Sequence, residues 1–430
     1  MLDLRFVREN PDLVKGGARR KGIDVASLVD RLLRLDEELR GCRRRFEEIR
    51  AGQKRAGKEL AAAAEQAARD RILAAQTAAK REAKELEARV AALEAEVREA
   101  LLRIPQPPAP GVPDGASEAE NVEVRRWGEP PRFDFEPLDH VRLGEALGAI
   151  DILRGARLAG SRNYVLLGPG ARLEEAVMRF AFDHMVAKGF TPVSVPVLVN
   201  DAAMEGTGYY PGGEEQAYRI PSEGLSLVGT AEVPLTALHA GEILEEAELP
   251  RLYLAGSTCF RREAGAAGRE TRGLYRVHQF RKIEQVVVSI ADPEDSIRWH
   301  RAILENAEEI LRALELPYRV VAVCAGDLGG GQVEKFDLET WMPSRGAYGE
   351  THSASRFHDF QARRLGLRYR GRDGKVRFAF TLNNTVVASP RILIALLENH
   401  QRADGSVRVP PALRPALGGI EEWKPLRPPR

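Results

Sequence analysis

Cysteine is scarce in this chain: three in 430 residues, Cys42, Cys259 and Cys324, far apart in sequence. They form neither a pairing framework nor the close spacing of a metal site, which argues against a disulfide scaffold and against a cysteine-ligated zinc centre. Cys259 reads as a small buried residue. Long apolar runs are missing too. No stretch approaches the roughly 20 residues needed to cross a bilayer, and Met1 to Asn10 carries charges where a signal peptide needs an apolar core. A cytoplasmic protein with no membrane partner is expected. Net charge is nearly absent, at +1, with 30% charged and 43% hydrophobic residues, the composition of an ordinary soluble protein. Two nucleotide-binding signatures are also lacking. No Gly-Lys-Ser/Thr follows the glycine triplet Gly329 to Gly331, and no G-x-G-x-x-G follows a strand-like run, which argues against P-loop and dinucleotide-binding folds.

What is present begins with two heptad-like seams. Apolar positions Leu32, Leu35, Leu39, Cys42, Phe46 and Ile49 alternate steps of three and four. A second seam runs Ile72, Gln76, Ala79, Ala83, Leu86, Val90, Leu93 and Val97. This spacing predicts two helices folded back as an antiparallel coiled-coil hairpin over about 27–103, an arm about 50 Å long at ~1.5 Å per residue. The apolar seam weakens toward the tip, which should be the most mobile part of the arm. Residues 1 to 104 hold 24 Lys plus Arg against 19 Asp plus Glu. The basic residues Arg43, Arg44, Arg45, Arg50, Lys54, Arg55 and Lys58 lie along the outer half of the first helix. Such a stripe suits an RNA backbone, although solvated charges on a dimerisation rod read the same way. The proline-dense Ile104 to Gly115 is a linker, so residues 1–110 and 111–430 are expected to form separate domains. Strand-like and helix-like runs alternate irregularly in the second, which points to an α+β fold on a largely antiparallel sheet.

The most informative stretch is Phe260-Arg261-Arg262-Glu263, after the strand-like Leu252 to Ala255. If the strand continues, Arg261 and Glu263 share a face and address one ligand. Arg262 then points to the other side. An arginine fork matches an anionic phosphate. A glycine-rich turn from Gly265 to Gly273 follows, and Val277 to Glu284 reads as a returning strand. Taken alone, an Arg and a Glu on a strand are more often a surface ion pair.

The run from Phe260 to Glu284 resembles the second signature motif of class II aminoacyl-tRNA synthetases, in its seryl-tRNA synthetase form. Thr381 to Arg391, leading into Ile392 to Asn399, resembles the third, and Gly189 to Pro196 the first. Thr230-Ala231-Glu232 is similar to the family's serine-site motif. The resemblance covers nearly the whole chain, in order. It implies activation of L-serine by ATP with Mg²⁺ and no zinc, then transfer to tRNA(Ser), and to tRNA(Sec) if one exists, by a homodimer joined near Pro196. The amino-terminal hairpin would hold the long variable arm of the tRNA, and no DNA partner is implied.

By the same resemblance, Arg261 holds the α-phosphate and the substrate carboxylate, and Glu263 accepts from the adenine amino group. Phe280 and Arg391 sandwich adenine, Arg276 meets the γ-phosphate, and the main chain around Val277 touches ATP. Arg262, Thr351 and His352 belong to the ATP-binding set that the resemblance implies. Glu350 and Ser353 match the family's magnesium and phosphate contacts. Thr230, Ala231, Glu232, Glu284, Asn383 and Thr385 match the serine pocket, with Arg261, Arg391 and Glu350 as the catalytic set. Arg262 replaces a common serine of the second motif, and Asn384 and Pro390 replace common glycines near the third. These departures put loop geometry in question. Three rivals stand beside this reading: a paralogue serving antibiotic synthesis or resistance; a catalytically silent RNA-binding or regulatory homologue, which would lose Arg261, Glu284, Glu350 or Arg391; and a purely structural coiled-coil protein, which leaves the roughly 300 residues after the arm unexplained.

Overall fold

A computed structural model describes residues 1–265 and 273–426, so the interior of the expected glycine-rich turn lies outside the described residues. Two compact units divide the chain, Met1–Pro107 and Pro108–Arg430.

In the first unit, α1 (Leu4–Glu9) starts at Asp3, whose carboxylate accepts from the main-chain nitrogens of Arg5 and Phe6. Pro11 opens α2 (Pro11–Arg20) at a position where its missing N–H costs nothing. The seams become α3 (Ala26–Ala62) and α4 (Gln66–Arg103), joined by Ala63 to Glu65. Leu32, Leu39, Leu93 and Val97 are buried along the contact and continue into a core with Val7, Val14 and Leu101. Between residues 50 and 82 nothing is buried, so the outer half of the hairpin is held with little apolar area. Ion pairs cross the inner half, beside the apolar seam: Arg31 to Glu96 at 3.0 Å, Arg43 to Glu94 at 2.6 Å, Arg45 to Glu82 at 2.8 Å and Arg89 to Glu38 at 2.7 Å. Each is solvent-exposed and contributes little by itself.

The second unit is built on an eight-stranded sheet. In chain order its strands are β1 (Val122–Trp127), β2 (Thr191–Pro192), β3 (Arg251–Phe260), β4 (Gln279–Ser289), β5 (Tyr318–Ala322), β6 (Glu334–Met342), β7 (Ala347–His358) and β8 (Phe380–Ala388). Across the sheet they run β1-β5-β6-β7-β8-β4-β3-β2, and every neighbouring pair is antiparallel except β2 with β3. Thr191 and Pro192 therefore lie on an edge strand. With the hairpin, this gives the expected α+β architecture.

Alternation divides the two faces of the sheet. On β4, Ile283 and Val287 join Leu382 and Val386 of β8 in the main core. Three helices cover that face: α6 (Gly168–Ala187), α7 (Pro293–Ala313) and α8 (Ser389–Asn399), with α5 (His140–Ala146) at its edge. Polar groups on the same face donate to helix backbone. Gln285 and Asn384 donate to the carbonyl of Ile303 at 2.9 and 2.6 Å. The alternate residues of the central strands point the other way, into a cleft. Among the described residues no helix is long and apolar enough to cross a membrane.

Candidate active site

The floor of the cleft follows from strand periodicity. On β4 the residues Phe280, Lys282 and Glu284 fall on one face, and on β8 Asn383 and Thr385 do. Thr385 is the cross-strand partner of Glu284. Its hydroxyl donates to the Glu284 carboxylate at 3.4 Å and lies 3.4 Å from the Lys282 ammonium, which is ion-paired with Glu284. Asn383 is nearly fully buried, and its side-chain amide nitrogen has no hydrogen-bond partner among the described residues. A buried donor left this way is costly unless something else accepts from it.

Glu350 and Ser353 reach the same face by an irregularity. Residues three apart on a regular strand point to opposite faces. Here Glu350 pairs with Glu339, His352 with Leu338 and Ser353 with Asp337, so Thr351 is an extra residue bulged out of β7. The bulge restores Glu350 and Ser353 to one face. Arg391, in the first turn of α8, donates to the Glu350 main-chain carbonyl at 2.6 Å and to its carboxylate at 3.2 Å. Burial opposes ionisation of Glu350, but Arg391 and Lys335 outweigh it and hold its carboxyl below the usual range. Neighbouring Asp337 is pushed up to about 7, chiefly by burial and against the pull of Lys335. An ionised carboxylate and a hydroxyl on one face fit a hard cation that completes its shell with phosphate and water. Among the described residues no cluster of three or more His, Cys, Asp or Glu could hold a metal on its own. Magnesium here would therefore depend on nucleotide oxygens.

One wall departs from the expected geometry. β3 ends at Phe260, and Glu263 has φ 50°, in the left-handed region, so Arg261 and Glu263 do not share a face by strand alternation. The segment is clamped from two sides. Arg261 N donates to His278 O at 2.9 Å, while Gln216 O accepts from Arg262 N at 3.0 Å and Gln216 Oε1 from Ala264 N at 3.1 Å. The turned backbone still brings both side chains to the cleft, with the Arg261 guanidinium 5.2 Å from the Phe280 ring centroid. Glu263 pairs with Arg276 at 3.2 Å. The Arg391 guanidinium lies 4.4 Å from the ring centroid of Tyr275.

The inner end of the cleft is acidic. Glu232 opens a short helix, Glu232–Ala237, and its main-chain nitrogen donates to Thr230 Oγ1 at 3.1 Å. Its carboxylate accepts from Tyr209 Oη at 3.0 Å and Gln361 Nε2 at 2.8 Å. Burial, with Glu284 close by, pushes Glu232 up to about 7.

Residues 1–108 match the family described as the seryl-tRNA synthetase N-terminal domain, and residues 218–400 the class II tRNA synthetase core domain of the G, H, P, S and T types. The serine–tRNA ligase of Deinococcus radiodurans is 49% identical over 421 residues, covering 98% of each chain. The chain belongs to the seryl-tRNA synthetase family. That of Rubrobacter xylanophilus is 45% identical over 424 residues, covering 97% of this chain and 98% of that one. Among solved structures, the seryl-tRNA synthetase of Pyrococcus horikoshii complexed with ATP is similar with TM-score 0.94 and 40% identity, covering 99% of this chain and 100% of that one. The Naegleria fowleri cytoplasmic enzyme in complex with AMP gives 0.89 and 33%, covering 99% of each chain.

Of the ATP and serine residues expected from sequence, all but two line this synthetase cleft: Arg262 and Ala231 do not. Arg262 is exposed beyond the strand end. Ala231 is fully buried among Leu235, Tyr253, Ala255 and Val286. Thr351 and His352 line the cleft as well. His352 is buried and held at about 4, well below its usual value, because burial disfavours its charged form. It is neutral at pH 7. Sequence reasoning missed Tyr209, Tyr275 and Lys282. Lys282 was legible, sitting midway between Phe280 and Glu284 at strand spacing. Tyr209, far from the motifs in sequence, carried no signal. On the arm, Arg43 and Arg45 are engaged across the hairpin, whereas Arg44, Lys54, Arg55 and Lys58 have no ion-pair partner among the described residues. Arg50 stacks on Phe46 at 5.2 Å.

Proposed function

We propose a division of labour within the cleft for the activity of its family. The chain is a serine–tRNA ligase: serine and ATP give seryl-adenylate and pyrophosphate, and the seryl group then passes to the 3′-end of tRNA. The single observation that carries the assignment is the meeting in one cleft of Arg261 and Arg391 with the hydroxyl-matching set Glu284, Asn383 and Thr385.

Serine's carboxylate is already ionised at pH 7, so its attack on the α-phosphorus needs no general base. The protein has to hold two anions together and offset the charge that builds as pyrophosphate leaves. Arg261 bridges the α-phosphate and the serine carboxylate. Phe280 and Arg391 bracket adenine, Glu263 accepts from its amino group, and Arg276 exchanges Glu263 for the terminal phosphate. Glu350 and Ser353 would hold magnesium, which when bound offsets phosphate charge. Glu232 and Thr230 take the serine ammonium, while Glu284, Thr385 and Asn383 read the hydroxyl. A site that pairs a hydroxyl rejects alanine because its own buried polar groups would be left unpaired. Lys282, ion-paired with Glu284, holds that carboxylate in place for the task.

The hairpin is the tRNA-binding arm, and its cations without ion-pair partners make the backbone contact. Edge strand β2 and the exposed Pro196 beside it are the surface for a homodimer. Three free cysteines suit a reducing cytoplasm. Charging of tRNA(Sec) follows if the host makes one, and neither zinc nor DNA enters the scheme. Transfer of labelled serine to tRNA(Ser) and to tRNA(Sec) transcripts tests the assignment. Failure to charge tRNA(Ser) would overturn it.

A further inference from the structure

Glu398 lies on α8, two turns beyond Arg391, and is completely buried outside the cleft. Its carboxylate is fully engaged. Oε1 accepts from His140 N at 3.0 Å and Ser344 Oγ at 2.8 Å and meets His140 Nδ1 at 2.8 Å; Oε2 accepts from Ser344 N at 2.9 Å. His140 then reaches away from the carboxylate. Its Nε2 accepts from Leu274 N at 3.1 Å, which fixes the neutral tautomer with the proton on Nδ1. A side chain at residue 273 is impossible here: Gly273 has φ 73°, and an added Cβ would stand 2.1 Å from His140 Nε2.

Both ends of this buried pair lead to one ring. Leu274 precedes Tyr275 and Arg276. Ser344 precedes Arg345, whose guanidinium lies 4.2 Å from the Tyr275 ring centroid. Arg391 lies 4.4 Å from the same centroid and donates to Tyr275 O at 3.3 Å. We infer that His140 and Glu398 are positioning residues for ATP: they anchor the backbone at Leu274 and so set Tyr275, Arg276 and Arg391. Neither touches substrate. The inference rests on the assignment of Arg276 and Arg391 to the nucleotide.

His140→Asn is the discriminating change. The shorter amide keeps a donor near Nδ1 for Glu398 and places no acceptor within reach of Leu274 N–H. In serine-dependent ATP–pyrophosphate exchange, normalised to active sites, kcat/KM for ATP should fall about tenfold to hundredfold while KM for serine stays within about twofold. Tm should hold. A well-folded variant with unchanged ATP kinetics, or with equal losses for ATP and serine, overturns the inference. If His140→Asn does not fold, Ser344→Ala carries the test, because it withdraws one donor from Glu398 and leaves the imidazole in place; KM for ATP must then rise at unchanged Tm. Absence of serine-dependent exchange in the wild type would instead overturn the reading of the cleft.

Discussion

Arg391 is bonded twice to Glu350, to its main-chain carbonyl at 2.6 Å and to its carboxylate at 3.2 Å. The residue assigned to adenine therefore also keeps the residue assigned to magnesium in place and ionised. A change at either should be felt at both.

Arg391→Ala should cost adenylation about 3 kcal/mol, comparable to the loss of one preorganised charged donor. It also removes the leading cation that holds the Glu350 carboxyl down, so the remaining activity should need a higher pH than the wild type does. The acidic limb of the pyrophosphate-exchange pH profile checks this. A profile that falls in amplitude without moving to higher pH contradicts the coupling.

Serine recognition should respond to a shape-preserving change. Thr385→Val removes the hydroxyl that donates to Glu284 and lies beside Lys282, so serine should lose more than alanine does, by about 1 to 3 kcal/mol. Competition kinetics gives the ratio directly. An unchanged serine-to-alanine ratio removes Thr385 from the pocket.

The raised carboxyl of Glu232 gives a pH dependence with a definite sign. Burial favours its neutral form, so it is mostly protonated at pH 6 and mostly ionised at pH 8, its value being about 7. If it takes the serine ammonium, KM for serine should fall as pH rises through that range, by up to about tenfold per pH unit on the acidic side. The stability it contributes runs oppositely: present below its ordinary 4.5, it is lost as pH rises through about 7. Glu232→Gln should flatten both curves. Serine KM values that track pH equally in the variant would assign the effect to another group.

The arm should separate from the chemistry. Deleting residues 30 to 100 through a short flexible loop should leave pyrophosphate exchange nearly intact and lower aminoacylation by orders of magnitude, since the arm supplies backbone contacts. Charge reversal at Arg44, Lys54, Arg55 and Lys58 should weaken tRNA binding and flatten its salt dependence. Reversal at Arg43 and Arg45 should lower the hairpin's Tm as well, because those two pair with Glu94 and Glu82. Wild-type charging by the deleted enzyme would make the hairpin a structural element.

What could be read from sequence follows from how local each cause is. The α3 and α4 seams are periodic over many residues, and the helices form where they run. Phe280 to Glu284 and Asn383 to Thr385 obey strand alternation, so the floor of the cleft was legible. The Thr351 bulge was not, because it depends on how β6 pairs with β7 rather than on β7 itself. The turn at Glu263 escaped for a similar reason: His278 and Gln216 impose it from distant positions. The pairing of Arg43 and Arg45 with the second helix depends on hairpin register, which charge counts do not contain. His140 and Glu398 are 258 residues apart and carry no shared pattern.

Pyrophosphate exchange with serine, threonine, alanine and cysteine in parallel is the most direct measure of whether this cleft activates serine. Serine should stimulate exchange strongly; threonine, which needs room for a methyl group, and alanine and cysteine, which leave the hydroxyl-pairing groups of the site unmatched, should stimulate it markedly less. Exchange that is indifferent to serine, or that another of these amino acids supports better, would contradict that assignment.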